Sequence, residues 1–188
     1  MAERPVVTFD RDLRRRRAAV LFRALLAVPA LIVLAGFSVV VTGVAVVAWI
    51  FALLTARVPA SVHRVLRVYV RYAARVAAWL TLTARRYPRV RGVAPPLVEL
   101  ERARQSRGSV LVRPVLALPS LVLAGAFGSV LLAASVAAWF VALARGRTTE
   151  GLRELGAFCI RYQSEALAFL LLATPRMPRL DPATRAPR

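Results

Sequence analysis

The chain has no lysine and no asparagine, a single cysteine (Cys159), a single histidine (His63), and only nine acidic residues among 188. One cysteine excludes an internal disulfide, and one histidine with one cysteine cannot assemble a zinc-type ligand set. Cys159 lies in an apolar stretch with no His nearby in sequence, so it reads as a small buried hydrophobe rather than a nucleophile. His63 reads as a solvated residue at a helix start. Paired-carboxylate motifs, glycine-rich phosphate loops and nucleophile elbows are also missing. Asp10, Asp12, Glu99 and Glu101 are spaced like exposed strand or loop charges. The sequence therefore predicts no enzyme, no cofactor and no metal.

What is present is apolar and basic. Hydrophobic residues make up 59% of the chain, against about 45–50% in an ordinary soluble domain. All 28 basic residues are arginine, which leaves a net charge of +19. Such a charge on a soluble protein would suggest nucleic acid. Here the apolar fraction is too high, and no aromatic platform accompanies the Arg runs. The composition is that of a small basic membrane protein.

Residues 24–56 carry no charged side chain, whereas about 20 helical residues suffice to cross a bilayer core of about 30 Å. Pro29 interrupts this run and predicts a kink, with an oblique lead-in over 18–28 and a spanning helix over 30–55. Residues 119–144 repeat the pattern behind Pro119. Trp49 and Trp139 stand near the far ends, where an amphipathic ring favours the headgroup region. Arg14–Arg17 ahead of the first run, with Val58-Pro59-Ala60 behind it, resemble a signal peptide. The run is too long for a signal h-region and it recurs later, so the segment is read as mature protein.

Two further stretches are shorter. Each reaches spanning length, over 66–84 and 156–174, only if preceding turns enter the membrane with Arg71 and Arg75, or with Arg161 and Glu165. Arg64, Arg67, Arg71 and Arg75 fall on one helical stripe. Two readings stand: an amphipathic helix in the interface, or a tilted spanning helix whose charges snorkel or face neighbours.

A shift of 90 positions aligns residues 23–90 with 113–180 without a gap, at about 21 identities over about 68 positions. Arg23/Arg113, Pro29/Pro119, Phe37/Phe127, Trp49/Trp139, Arg57/Arg147, Arg71-Tyr72/Arg161-Tyr162 and Pro88-Arg89/Pro178-Arg179 match in register. Apolar composition alone would not align Pro, Trp and Arg. The chain divides into repeat 1 (1–91) and repeat 2 (92–188, ending in a basic tail). Alternating segments 5–11 and 96–102, with the extended pieces 86–90 and 176–180, read as short cytoplasmic strands or as loop.

If each repeat crosses twice, both have the same orientation about an axis along the membrane normal. The N-terminus, linker and tail then share a side with about 19 Arg against about 9 opposite, which places both termini in the cytoplasm. The expected class is an all-α integral protein of the bacterial cytoplasmic membrane. Its two tandem repeats each hold a long Pro-kinked transmembrane helix and a shorter amphipathic or transmembrane helix.

The candidate contacts for lipid phosphate are Arg14, Arg15, Arg16, Arg17, Arg85, Arg86 and Arg89, because Arg forks grip phosphates bidentately. The polar candidates at membrane depth are Arg71, Arg75, Arg161 and Glu165, with an ion pair from Arg75 or Arg71 to Glu165 as a clip between repeats. Ala124/Gly128 and Gly125/Ser129 are small-residue pairs of the kind that let membrane helices approach, and Gly36/Gly43 give a looser version. The expected partners are the bilayer, anionic phospholipids, and a membrane-protein partner or second copy. The expected role is a non-catalytic membrane module binding such partners or anionic lipid; the alternative is a transporter or channel subunit with Arg71 and Arg161 lining a polar path.

The segments Arg23-Ala-Leu-Leu-Ala-Val-Pro29, Ala48-Trp-Ile-Phe-Ala-Leu-Leu-Thr-Ala-Arg57, Arg71-Tyr-Ala-Ala-Arg75-Val-Ala-Ala-Trp79, Leu82-Thr83 and Tyr87-Pro88 resemble domain-of-unknown-function family 4389. The likeness covers nearly the whole chain as two copies. Repeat 1 departs from the family pattern at Ala56, where a Gly usually precedes the loop Arg, and at Ala84-Arg85, where an acid precedes Tyr-Pro. Repeat 2 departs at Glu165 and Met177. The resemblance implies a bacterial, often actinobacterial, membrane protein and assigns no activity, substrate or catalytic residue.

Overall fold

A computed structural model describes residues 17–56, 58–84, 87–90, 107–145, 149–174 and 178. The described chain forms four helices and no strand: α1 (Arg17–Thr55), α2 (Ala60–Leu80), α3 (Arg107–Arg145) and α4 (Glu150–Leu170). The segments 5–11 and 96–102 read as short strands lie outside the described residues, as does all but Pro178 of 176–180. Residues 87–90 are irregular.

α1 runs without a break through Pro29, and α3 likewise through Pro119. The separate lead-in expected over 18–28 is therefore the first part of one helix. A proline removes one backbone hydrogen bond, and the run of Ala, Leu and Val on both sides keeps the rest. The second helices begin earlier and end earlier than hydropathy suggests, at Ala60 and Leu80 rather than 66 and 84, and at Glu150 and Leu170 rather than 156 and 174. Their first turns are polar, so a hydrophobicity criterion passes over them. Pro59 stands at the N-cap of α2, where its missing N–H has no helical bond to lose.

α1 packs on α2 and α3, and α4 packs on α3 and α2. The result is two layers, α1 beside α3 and α2 beside α4. Within each repeat the hairpin is antiparallel: Arg23 reaches Ala84, Ala30 meets Tyr72, and Ser38 meets Tyr69. The repeats are also antiparallel to each other. His63, near the start of α2, lies 3.0 Å from the carbonyl of Ala173, just past the end of α4. Thr83, past the end of α2, lies against Gly156 near the start of α4. Trp139, late in α3, donates to the carbonyl of Leu80, at the end that also holds Arg23 and Ala84.

This corrects the same-orientation arrangement expected from parity. A pseudo-twofold axis does relate the repeats, but it runs across the helices and pierces both layers. The main core cluster draws on all four helices, with Val41 and Leu131, which are 90 positions apart, beside Ala74, Ala78, Ile160 and Ala168 of α2 and α4. Small side chains there permit close approach.

The outer face of the α1/α3 layer is apolar over its length. Leu25, Ile32, Val39, Val46, Ile50 and Leu54 of α1 are exposed, as are Leu111, Val115, Val122, Leu132, Val136 and Phe140 of α3. Both helices are long and apolar enough to cross a membrane. Their small residues are used unequally. Gly36, Gly43 and Gly125 face open space, whereas Gly128 meets the Gln163 amide.

Candidate functional site

The second helix of each repeat ends in the same way. Leu82 and Leu172 adopt φ of 59° and 58°, a left-handed conformation normally taken by glycine because a Cβ makes it cost about 1–2 kcal/mol. In α4 the Leu172 N–H bonds Phe169 O and the Ala173 N–H bonds Ala168 O, the paired bonds of a Schellman cap. In α2 the Leu82 N–H bonds Trp79 O and the Ala84 N–H bonds Ala78 O. Both leucines are buried, Leu82 at 2% and Leu172 at 1% exposure, so apolar burial offsets the backbone strain.

A buried arginine from the first helix closes each cap. Arg23 Nη2 donates to Ala84 O at 3.1 Å and its guanidinium lies 4.8 Å from the Trp79 ring centroid. Arg113, with 0% exposure, donates from Nη1 to Phe169 O at 3.1 Å and Thr174 O at 3.0 Å. It stacks 4.5 Å from the Phe169 ring. These residues correspond one to one across the repeat. A helix C-terminus offers unpaired carbonyls and partial negative charge, which a cation satisfies, and a planar guanidinium can stack and donate together. Arg23 and Arg113 align as repeat landmarks but were not among the expected polar sites at depth. The signal that marks them is an identical charge six residues before an identical proline in both apolar runs.

Two apolar grooves flank the caps. One, of about 600 Å³, lies between the end of α2 (Ala77, Leu80, Thr81) and α3 (Leu132, Val136, Trp139 among others), with Gln163 of α4. The other, of about 410 Å³, lies between the end of α4 (Leu170, Leu171) and α1 (Thr42, Val46, Trp49 among others). All lining positions of the smaller groove have their repeat mates in the larger one. The linings differ in where they are polar: the larger groove has Ser135 for Ala45 and Thr81 for Leu171 and adds Gln163, while the smaller has Thr42 for Leu132. The Gln163 amide donates to Ala124 O at 3.3 Å across Gly128, where a Cβ would approach its Nε2 to 3.2 Å.

Arg71 and Arg161 line neither groove. Both are half-buried, and the Arg161 guanidinium lies 5.6 Å from the Phe158 ring. Arg75 is buried at 5% exposure. Its Nη1 donates to Arg89 O at 2.9 Å and reaches Val90 O at 3.5 Å, which binds α2 to the tail that follows it. Glu165 is half-buried in the middle of α4. Arg89 is exposed. Arg14, Arg15, Arg16, Arg85 and Arg86 lie outside the described residues; Arg17 opens α1, and its side chain lies outside them too.

His63 departs from expectation. It is buried at 6% exposure and joins the two repeats through Ala173 O. Cys159 is buried, and burial pushes its thiol above the usual range, which suits a packing role. Among the described residues no group of three His, Cys, Asp or Glu side chains is placed to hold a metal ion.

The model of a family described as Domain of unknown function (DUF4389) matches residues 17–90 and again residues 107–180. No curated protein and no solved structure matches the chain.

Proposed function

The chain belongs to the DUF4389 family, as two tandem copies, and from that premise we propose that it is a non-catalytic membrane module that binds anionic phospholipid. The observation that carries this reading is the segregation of chemistry between the two layers. The outer surface of α1 and α3 is Leu, Ile, Val and Phe. The α2/α4 layer instead carries exposed Arg64 with partly exposed Arg67 and Arg71, and Arg153 with Arg161. An apolar face beside an arginine-bearing one matches a bilayer with anionic headgroups, where each Arg near the surface gains about 1 kcal/mol. The Arg clusters at 14–17 and 85–91 add to that charge.

The same observations weigh against a transport path. α2 and α4 pack on each other and contribute Ala74, Ala78, Ile160 and Ala168 to the main buried cluster, and neither groove contains Arg71 or Arg161. The proposed setting is the cytoplasmic face of a bacterial plasma membrane, with both termini on the cytoplasmic side.

The test is lipid enrichment. Full-length protein is extracted from membranes of mixed composition and its co-purifying lipids are quantified against the bulk. Enrichment of phosphatidylglycerol or cardiolipin, reduced several-fold by Arg64→Gln/Arg67→Gln/Arg71→Gln, supports the reading. Bulk lipid ratios in the wild-type protein would overturn it, and stoichiometric recovery of one membrane protein would redirect it to a protein partner.

A further inference from the structure

The antiparallel repeats constrain how the molecule sits in a membrane. The end of α2 and its cap lie at the end of the bundle that holds Arg23, Trp139 and Gly156. The start of α3 lies at the opposite end, where Arg113 meets Thr174 and Ala173 meets His63. Residues 91–106 must join the two ends. This segment contains Arg91, Glu99, Glu101, Arg102 and Arg104 with two prolines. With the helices upright in a bilayer, those five charges would have to pass from one surface to the other, which is costly where lipid surrounds the chain.

Length gives an independent argument. The uncharged stretches Leu25–Thr55 and 114–144 are each 31 residues long. At 1.5 Å per residue they measure about 46 Å, against a hydrocarbon thickness of about 30 Å. To fit between the two surfaces they would tilt by about 50°, beyond the roughly 0–40° of spanning helices.

We propose that the four helices lie in the plane of the membrane, α1 and α3 side by side within the hydrocarbon of one leaflet and α2 and α4 above them at the headgroups. The pseudo-twofold axis then coincides with the membrane normal, which sets the two copies at equal depth. Packed layers stand about 8–10 Å apart and one leaflet offers about 15 Å of hydrocarbon, so α1 and α3 fit beneath a layer held at the surface. The end of α2 and the start of α3 then lie in one leaflet, so the charges between them need not cross hydrocarbon. Arg89, exposed on a tail tied back to Arg75, belongs to the same side.

This inference rests on the membrane-module reading and is tested apart from its lipid preference. Leu25, Val40 and Leu54 are exposed on one face of α1, with Leu25 and Leu54 separated by about 43 Å along the helix. Nitroxides at L25C, V40C and L54C in a Cys159→Ala background report depth through collisions with oxygen and a water-soluble nickel chelate. The full chain is reconstituted in vesicles with and without phosphatidylglycerol. In-plane embedding gives three depths equal within about one helical turn, ~5 Å. A profile with Val40 at the bilayer centre and both ends more than about 10 Å shallower overturns it.

Sidedness provides a second readout. Ser61, at the start of α2, and Arg89, past its end, are both exposed. S61C and R89C should show the same access to an impermeant maleimide in intact cells, and opposite access contradicts the inference. Equal depths without anionic-lipid enrichment would defeat the proposed function alone. Failure of the protein to enter vesicles of either composition would defeat both.

Discussion

Arg113 sits with its guanidinium 4.5 Å from the Phe169 ring centroid and donates to the carbonyl oxygen of that same residue at 3.1 Å. One side chain thus satisfies the end of α4 and fixes α3 against it. Replacing it with alanine removes two charge-assisted bonds, each worth about 1.5–3 kcal/mol, and leaves terminal carbonyls buried. Arg113→Ala should destabilise the full chain in mixed micelles by about 3–5 kcal/mol. Arg113→Lys should recover less than half, because an ammonium cannot stack and donate as a fork. Denaturant unfolding checks both; a cost under about 0.5 kcal/mol, typical of a surface change, would contradict the clamp.

The left-handed leucines predict an inversion of the usual alanine–glycine order. Leu172→Ala loses buried apolar area and keeps the strained φ, whereas Leu172→Gly loses slightly more area and relieves the strain. Glycine should therefore be the less damaging substitution by about 1 kcal/mol, although in a helix interior it is the worse one by a similar amount. Ala56 has φ of 55°, the left-handed region that favours glycine. Ala56→Gly should raise stability by about 0.5–1 kcal/mol. Thermal unfolding of the three variants gives the signs directly.

At Gly156, a Cβ would stand 2.9 Å from Thr83 Oγ1 and 3.7 Å from Leu131 Cδ1. Gly156→Ala should cost about 1–3 kcal/mol through overpacking. Thr83→Ala in the same chain should recover most of that, giving a coupling energy of about 1 kcal/mol or more in a double-mutant cycle. Additive effects would show that the two residues are not in contact.

The Cys159 thiol is fully buried, and burial raises its pKa. A raised pKa leaves less thiolate near neutral pH, so reaction with a thiol reagent should be negligible in the folded protein and fast after unfolding. Labelling followed by mass checks this. Rapid modification at pH 7 in the folded state would contradict the buried position.

The repeat was legible because Pro, Trp and Arg recur in register, and the apolar character of α1 and α3 because hydropathy reports composition directly. The first turns of α2 and α4 were not, since Arg64 and Glu154 fail a hydrophobicity criterion even though the helix continues through them. Leu82 and Leu172 gave no hint of a left-handed backbone, because leucine rarely adopts one. Arg23 and Arg113 were visible as matched positions, but a matched arginine does not reveal that it meets the carbonyls of its own partner helix. The antiparallel relation was hidden for a different reason. Counting crossings and charges presumes upright helices, and the contact of His63 with Ala173 lies outside what parity can express.

That contact fixes the repeats as antiparallel, and a choice between two engineered disulfides reads out the same relation. In a Cys159→Ala background, T83C paired with G156C places the two Cβ atoms within the reach of a disulfide, which needs about 3.5–4.5 Å. This pair should oxidise readily to an intramolecular crosslink while T83C paired with A173C should not. Residues 83 and 173 are repeat mates, and parallel repeats would bring them together. Efficient crosslinking of T83C to A173C, with none between T83C and G156C, would contradict the antiparallel arrangement.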